Sequence, residues 1–173
     1  MKKILLLCCT AVILSLLLCG CKGAPDTDRT PSLMPGEVKI NNLIYTLPEG
    51  FTLTNASGIA VACCPEYPER TDNISFTTAE KDDPANYTRE SLDRLYSSII
   101  TGFAGSTALD TTELAGCTVL IYSYNLTIGD APFSATQYII FGESFTDIVT
   151  VTLSDTKYAD AIGNSVATAK LAK

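Results

Sequence analysis

"CTVLIYSYNLTIGDAPFSATQYIIFGESFTDIVTVTL", residues 117–153, decides the fold. Three runs rich in β-branched and aromatic residues are separated by two short breaks, "IGDAP" and "GESF". Breaks that short cannot house a crossover helix, so the runs predict an antiparallel meander. Along the first run Leu120, Tyr122, Tyr124 and Leu126 alternate onto one face. Such a row belongs under a helix. An open sugar-binding surface is disfavoured because the chain has no tryptophan.

Upstream, Leu92, Leu95, Tyr96, Ile99, Ile100 and Phe103 recur at three- and four-residue steps. They form one apolar helical stripe. Thr88 is the expected N-cap, with Tyr87 and Leu92 placed for a hydrophobic staple, and Gly102 or Gly105 as the stop. "ALDTTEL" predicts a strand, and Ala115-Gly116 a turn. Before the helix, "VKI", "LIYTL", "GIAVACC" and "NISFTTA" predict strands, with turns at Asn41-Asn42 and at Pro48 to Gly50. Phe51 is expected in the core. "PEYPERTD" predicts a loop. After the meander, Tyr158, Ile162, Val166 and Ala169 line one side of a second helix, capped by Ser154 or Asp155. Runs of strands separated by single helices give the α+β class: one domain with an antiparallel sheet flanked by helices.

The chain has 173 residues and begins "MKKILLLCCTAVILSLLLCGC". Lys2 and Lys3 precede an uncharged apolar run, Ile4 to Leu18, and Gly20 closes it. This is the order of a secretory signal peptide, and the run is short for a spanning helix. Leu18-Cys19-Gly20-Cys21 resembles the lipobox of bacterial lipoproteins. The resemblance implies cleavage before Cys21 and lipidation of its thiol, giving a membrane anchor of two or three acyl chains. Cys19 departs from the commoner Ala, Ser or Thr in that slot. A plain signal peptide with incidental cysteines is the alternative. Residues 1–20 are thus the expected signal, 21–37 the lipidated cysteine and a Pro- and Gly-containing tether, and 38–173 the domain.

Removal of Lys2 and Lys3 leaves ten basic residues against nineteen acidic ones. That balance argues against nucleic acid and anionic headgroups as partners. The chain has no histidine, which excludes Ser-His-Asp and Cys-His catalysis and imidazole metal sites. No nucleophile elbow or phosphate loop occurs. No metal and no cofactor are expected. Asp82-Asp83 could bind calcium or transfer protons, but a solvated helix entry is the simpler reading. Glu66, Glu69 and Asp72 could form a partner-facing acidic patch. Cys63, Cys64 and Cys117 are the remaining thiols of the expected mature chain. They are either buried and reduced or joined as one bridge, Cys63 or Cys64 with Cys117. Sequons stand at Asn55, Asn73, Asn86 and Asn125; in a bacterial chain they reflect abundant Asn, Ser and Thr.

"YTLPEGF", "YTRESLDRLYSSII", "ELAGCTVLIYSY", "ATQYIIF", "DIVTVTL" and "YADAIGNSV" follow one another. That succession resembles the PsbP-like, DcrB-like group of small extracytoplasmic proteins over about residues 38–171. The resemblance implies an α-β-α sandwich and a theme of binding and assembly, with no catalytic motif to carry over. The expected function is a non-enzymatic, membrane-anchored module that binds or supports an envelope protein. The loop from Cys63 to Asp72 and the 128–132 hairpin are the expected contact places. The alternative is a small-ligand lipoprotein with an apolar pocket between sheet and helix.

Overall fold

A computed structural model describes residues 33–172. The expected signal, Cys21 and most of the tether lie outside the described residues. Ten strands follow: β1 (Glu37–Ile40), β2 (Leu43–Thr46), β3 (Thr52–Ala56), β4 (Ile59–Cys63), β5 (Asn73–Glu80), β6 (Phe103–Leu114), β7 (Cys117–Ile128), β8 (Ala131–Phe141), β9 (Phe145–Leu153) and β10 (Lys170–Leu171). Two helices, α1 (Arg89–Ile99) and α2 (Ala159–Ala167), and a 3-10 turn at Pro84–Asn86 complete the set among the described residues.

The quoted stretch forms β7, β8 and β9, and β6 extends the meander to four strands. A seven-stranded sheet runs in the order β3-β4-β5-β9-β8-β7-β6, with every pair antiparallel. A three-stranded sheet has the order β1-β2-β10. The large sheet is therefore covered on both faces. On one, Tyr122, Tyr124, Leu126, Ile139 and Ile148 pack with Leu92, Tyr96 and Ile100 from α1 and its C-cap. On the other, Ile74, Val119, Ile140, Val149 and Val151 pack with Leu43 and Tyr45 from the small sheet and Ile162 and Val166 from α2. This is a single α+β domain.

The start of α1 forms as its sequence predicts. Thr88 Oγ1 accepts from Ser91 N at 3.2 Å, and Ser91 Oγ accepts from Thr88 N at 3.0 Å. Tyr87 and Leu92 are both buried in the same cluster, as a staple requires. Thr88→Ala is expected to cost about 1 kcal/mol, because Ser91 N loses its side-chain acceptor. A thermal-melt comparison with Arg94→Ala, which removes only an exposed i,i+4 pair with Glu90, checks this.

Other expectations are corrected. The second helix starts at Ala159, with Tyr158 at the N-cap and no side-chain capping bond. Ser154 and Asp155 do not cap it: Ser154 bonds Asp72, and Asp155 pairs with Arg70 and accepts from Lys157 N at 2.8 Å, ahead of the helix. Gly105 lies inside β6 rather than ending a helix, where the register shifts between Phe103 and Ala108. Pro132 belongs to β8, so the β7–β8 turn is only Gly129-Asp130. β3, which follows the Pro48 to Gly50 turn and is not among the expected strands, is an edge strand of the large sheet, and β10 is not expected either.

Candidate functional site

Antiparallel pairing gathers several connections at one end of the large sheet: the Gly50 turn, the 64–72 loop, the β7–β8 turn and the 154–158 segment. Gly50 has φ +77, and a Cβ there would meet Pro65 Cγ at 2.7 Å. The turn and the loop thus touch. Phe51 does enter the core margin, edge-on to Tyr158 with ring centroids 5.3 Å apart.

The 64–72 loop is held by charge. Asp72 is 0% exposed and accepts from Ser154 N and Ser154 Oγ, both at 2.7 Å. Arg70 Nε donates to its other oxygen at 2.7 Å, and the same guanidinium pairs with Asp155. Glu66 pairs with Lys157 and accepts from Tyr158 Oη at 2.5 Å. Lys157 Nζ also lies 4.9 Å from the Tyr158 ring centroid. The expected acidic patch is therefore mostly an internal latch. Two of its three carboxylates join the β4–β5 loop to the segment before α2, and Glu69 alone stays exposed.

The latch has an electrostatic signature. Lys157 first, then Tyr158, holds the Glu66 carboxyl down to about 2. Arg70 likewise lowers Asp155, and Lys170 lowers Glu37. A depressed carboxyl stabilises the folded state fully above the ordinary carboxylate range, and that contribution is lost as pH falls through the folded value. The domain is expected to lose stability progressively as pH drops from about 4.5 to 2. Urea midpoints across this window, for wild type and Glu66→Gln, provide the check. The gap between the two proteins should narrow as pH falls; a constant gap would contradict the latch.

Beside the hairpin, a groove of about 400 Å³ is lined by Asn125, Thr127, Pro132, Ser134, Leu153 and Ser154, among others. The hairpin that sequence reasoning selected therefore borders an open groove with an uncharged lining. At the opposite end of the sheet a second groove, about 490 Å³, contains Lys81, Asp82, Asp83 and Phe141. The acidic pair there is structural. Asp83 Oδ1 caps the 3-10 turn by accepting from Ala85 N at 2.9 Å. Asp82 accepts from Asp83 N at 2.8 Å, Asn86 Nδ2 at 2.8 Å and Tyr87 Oη at 2.9 Å. Burial raises its carboxyl, but these donors outweigh burial and lower it overall. Among the described residues no group of three or more acidic or thiol side chains is placed to hold a metal.

The three cysteines are not brought together. Cys63 ends β4 on the α1-side face, Cys64 follows it, and Cys117 begins β7 on the other face. Three strands, β5, β9 and β8, stand between β4 and β7, so the bridge considered from sequence is not made. All three are buried. Cys64 Sγ donates to Arg70 O at 3.3 Å. Burial pushes the Cys64 and Cys117 thiols above their ordinary values, away from a nucleophilic thiolate.

Sequence reasoning missed Asp147. It is 1% exposed on β9 and accepts from Asn42 N at 3.1 Å and Asn42 Nδ2 at 2.9 Å. It fastens the β1–β2 turn to the large sheet. The sequence signal was an acidic residue at a core-facing position of an apolar strand. On the α1 side, Tyr122 Oη donates to Asp93 at 2.6 Å, and Tyr96 Oη bonds Gln137. Rings of Tyr96, Phe103, Tyr122 and Tyr124 lie 5.1–6.3 Å apart and fill the space beneath α1. That filling counts against an apolar chamber there. Asn73 is 2% exposed, too buried for a glycan, whereas Asn55, Asn86 and Asn125 are exposed.

No family model matches the chain, and no curated protein matches it by sequence. Solved structures do match. Cyanobacterial PsbP (CyanoP) from Synechocystis superposes with a TM-score of 0.60 at 10% identity, over 86% of this chain and 99% of that one. LpqN, involved in cell envelope biogenesis of Mycobacterium tuberculosis, gives 0.53 at 10% identity, over 76% of this chain and 83% of that one. A protein from Bacteroides thetaiotaomicron gives 0.56 at 12% identity over 81% of this chain, which spans only 50% of that protein. At such identities the likeness is one of fold. The near-complete overlap with CyanoP makes that fold PsbP-like.

Proposed function

We propose that this chain is an extracytoplasmic lipoprotein, anchored to a bacterial membrane through Cys21, whose PsbP-like domain binds or supports another protein of the cell envelope. The observation that carries this reading is the use made of the charged groups. Glu66, Asp72, Asp82 and Asp147 are bonded within the scaffold, and the end of the sheet near the hairpin is a braced platform beside an open groove. Such a surface suits docking better than proton transfer. The chain order of Lys2, Lys3, the apolar run and Leu18 to Cys21 supports the anchor. The fold shared with LpqN, an envelope-biogenesis protein, is compatible with an envelope role.

Two measurements test the parts separately. Wild type expressed in a bacterial host with an alkyne fatty acid is expected to carry the label and sediment with membranes, whereas Cys21→Ala carries none. An unlabelled wild type would remove the anchor from the proposal. Crosslinking in intact membranes then compares wild type with Ser134→Arg, which places a charge in the groove. A reproducible envelope partner lost on that substitution supports the platform; identical capture by both proteins, or no capture, counts against it.

A further inference from the structure

We draw no further inference here: the strongest candidate, the row of small polar side chains Asn73, Ser75, Thr150 and Thr152 on the α1-side face of β5 and β9, holds two buried atoms without a hydrogen-bond partner, Asn73 Oδ1 and Thr152 Oγ1, and nothing among the described residues shows what covers it.

Discussion

Replacing Gly102 by alanine is expected to destabilise the domain by about 3 kcal/mol, the sum of backbone strain and a steric clash. Gly102 sits between α1 and β6 with φ +87. A Cβ there would lie 2.0 Å from Thr127 O and 3.0 Å from Thr127 C. Both are backbone atoms of β7, so no side chain can swing away. The same turn is tied to β7 by Thr127 N donating to Gly102 O at 2.9 Å. Relief of the clash would pull the helix exit from the sheet and loosen the Phe103 ring beneath α1. Gly105→Ala is the control. It has φ +100 but nothing within 4 Å of its added Cβ. It bears the dihedral strain alone, about 1 kcal/mol. Urea midpoints of the two variants should differ clearly. Equal midpoints would mean that the close approach to Thr127 contributes nothing.

The position of Gly102 illustrates what the sequence discloses. A glycine near the end of an apolar stripe reads as a helix end, and the helix does end before it: Ile100 is its C-cap, and Phe103, counted in the stripe, opens β6 instead. The contact that makes glycine necessary is with a residue 25 positions away, and no local pattern announces it. The meander was legible for the opposite reason. Its alternation is long, its links are short, and each strand pairs with its sequence neighbour. β10 lay beyond reach because two residues cannot display a period. Its pairing with β2 depends on where α2 delivers the chain. The cap of α2 failed through competition. Ser154 and Asp155 have the right chemistry to cap a helix, but Ser154 is bonded to Asp72, and Asp155 to Arg70 and to Lys157 N. For the site, sequence flagged Glu66, Asp72, Asp82 and the hairpin as places of interest. It could not say that Asp72 turns inward, or that Glu66 and Asp82 are engaged by bonds within the scaffold. For Asp72 and Glu66 the partner depends on the register of strands far apart in sequence, here β5 against β9.

Asp72→Ala is expected to cost about 3 kcal/mol, near the lower limit for breaking a buried ion pair. The carboxylate is fully buried and meets three donors: Ser154 N, Ser154 Oγ and Arg70 Nε. Arg70 moderates the loss, because its side chain is 21% exposed to water and keeps its pair with Asp155. Ser154 N is less fortunate, since its donor is fixed by the end of β9. Removing the carboxylate therefore frees both the β4–β5 loop and the segment leading to α2. Asp72→Asn separates the terms. Its amide oxygen can still accept from Ser154, while its NH₂ faces Arg70 and loses the charge pairing. Its cost should fall between wild type and Asp72→Ala. Glu69→Ala, at the exposed position of the same loop, should leave stability unchanged within about 0.5 kcal/mol. Urea unfolding gives the energies, and amide exchange at Ser154 gives the location. Fast exchange at Ser154 in Asp72→Ala, with β7 and β8 still protected, identifies the latch as a local brace at the groove end. If all three variants unfold alike and Ser154 stays protected, Asp72 does not hold the two segments together.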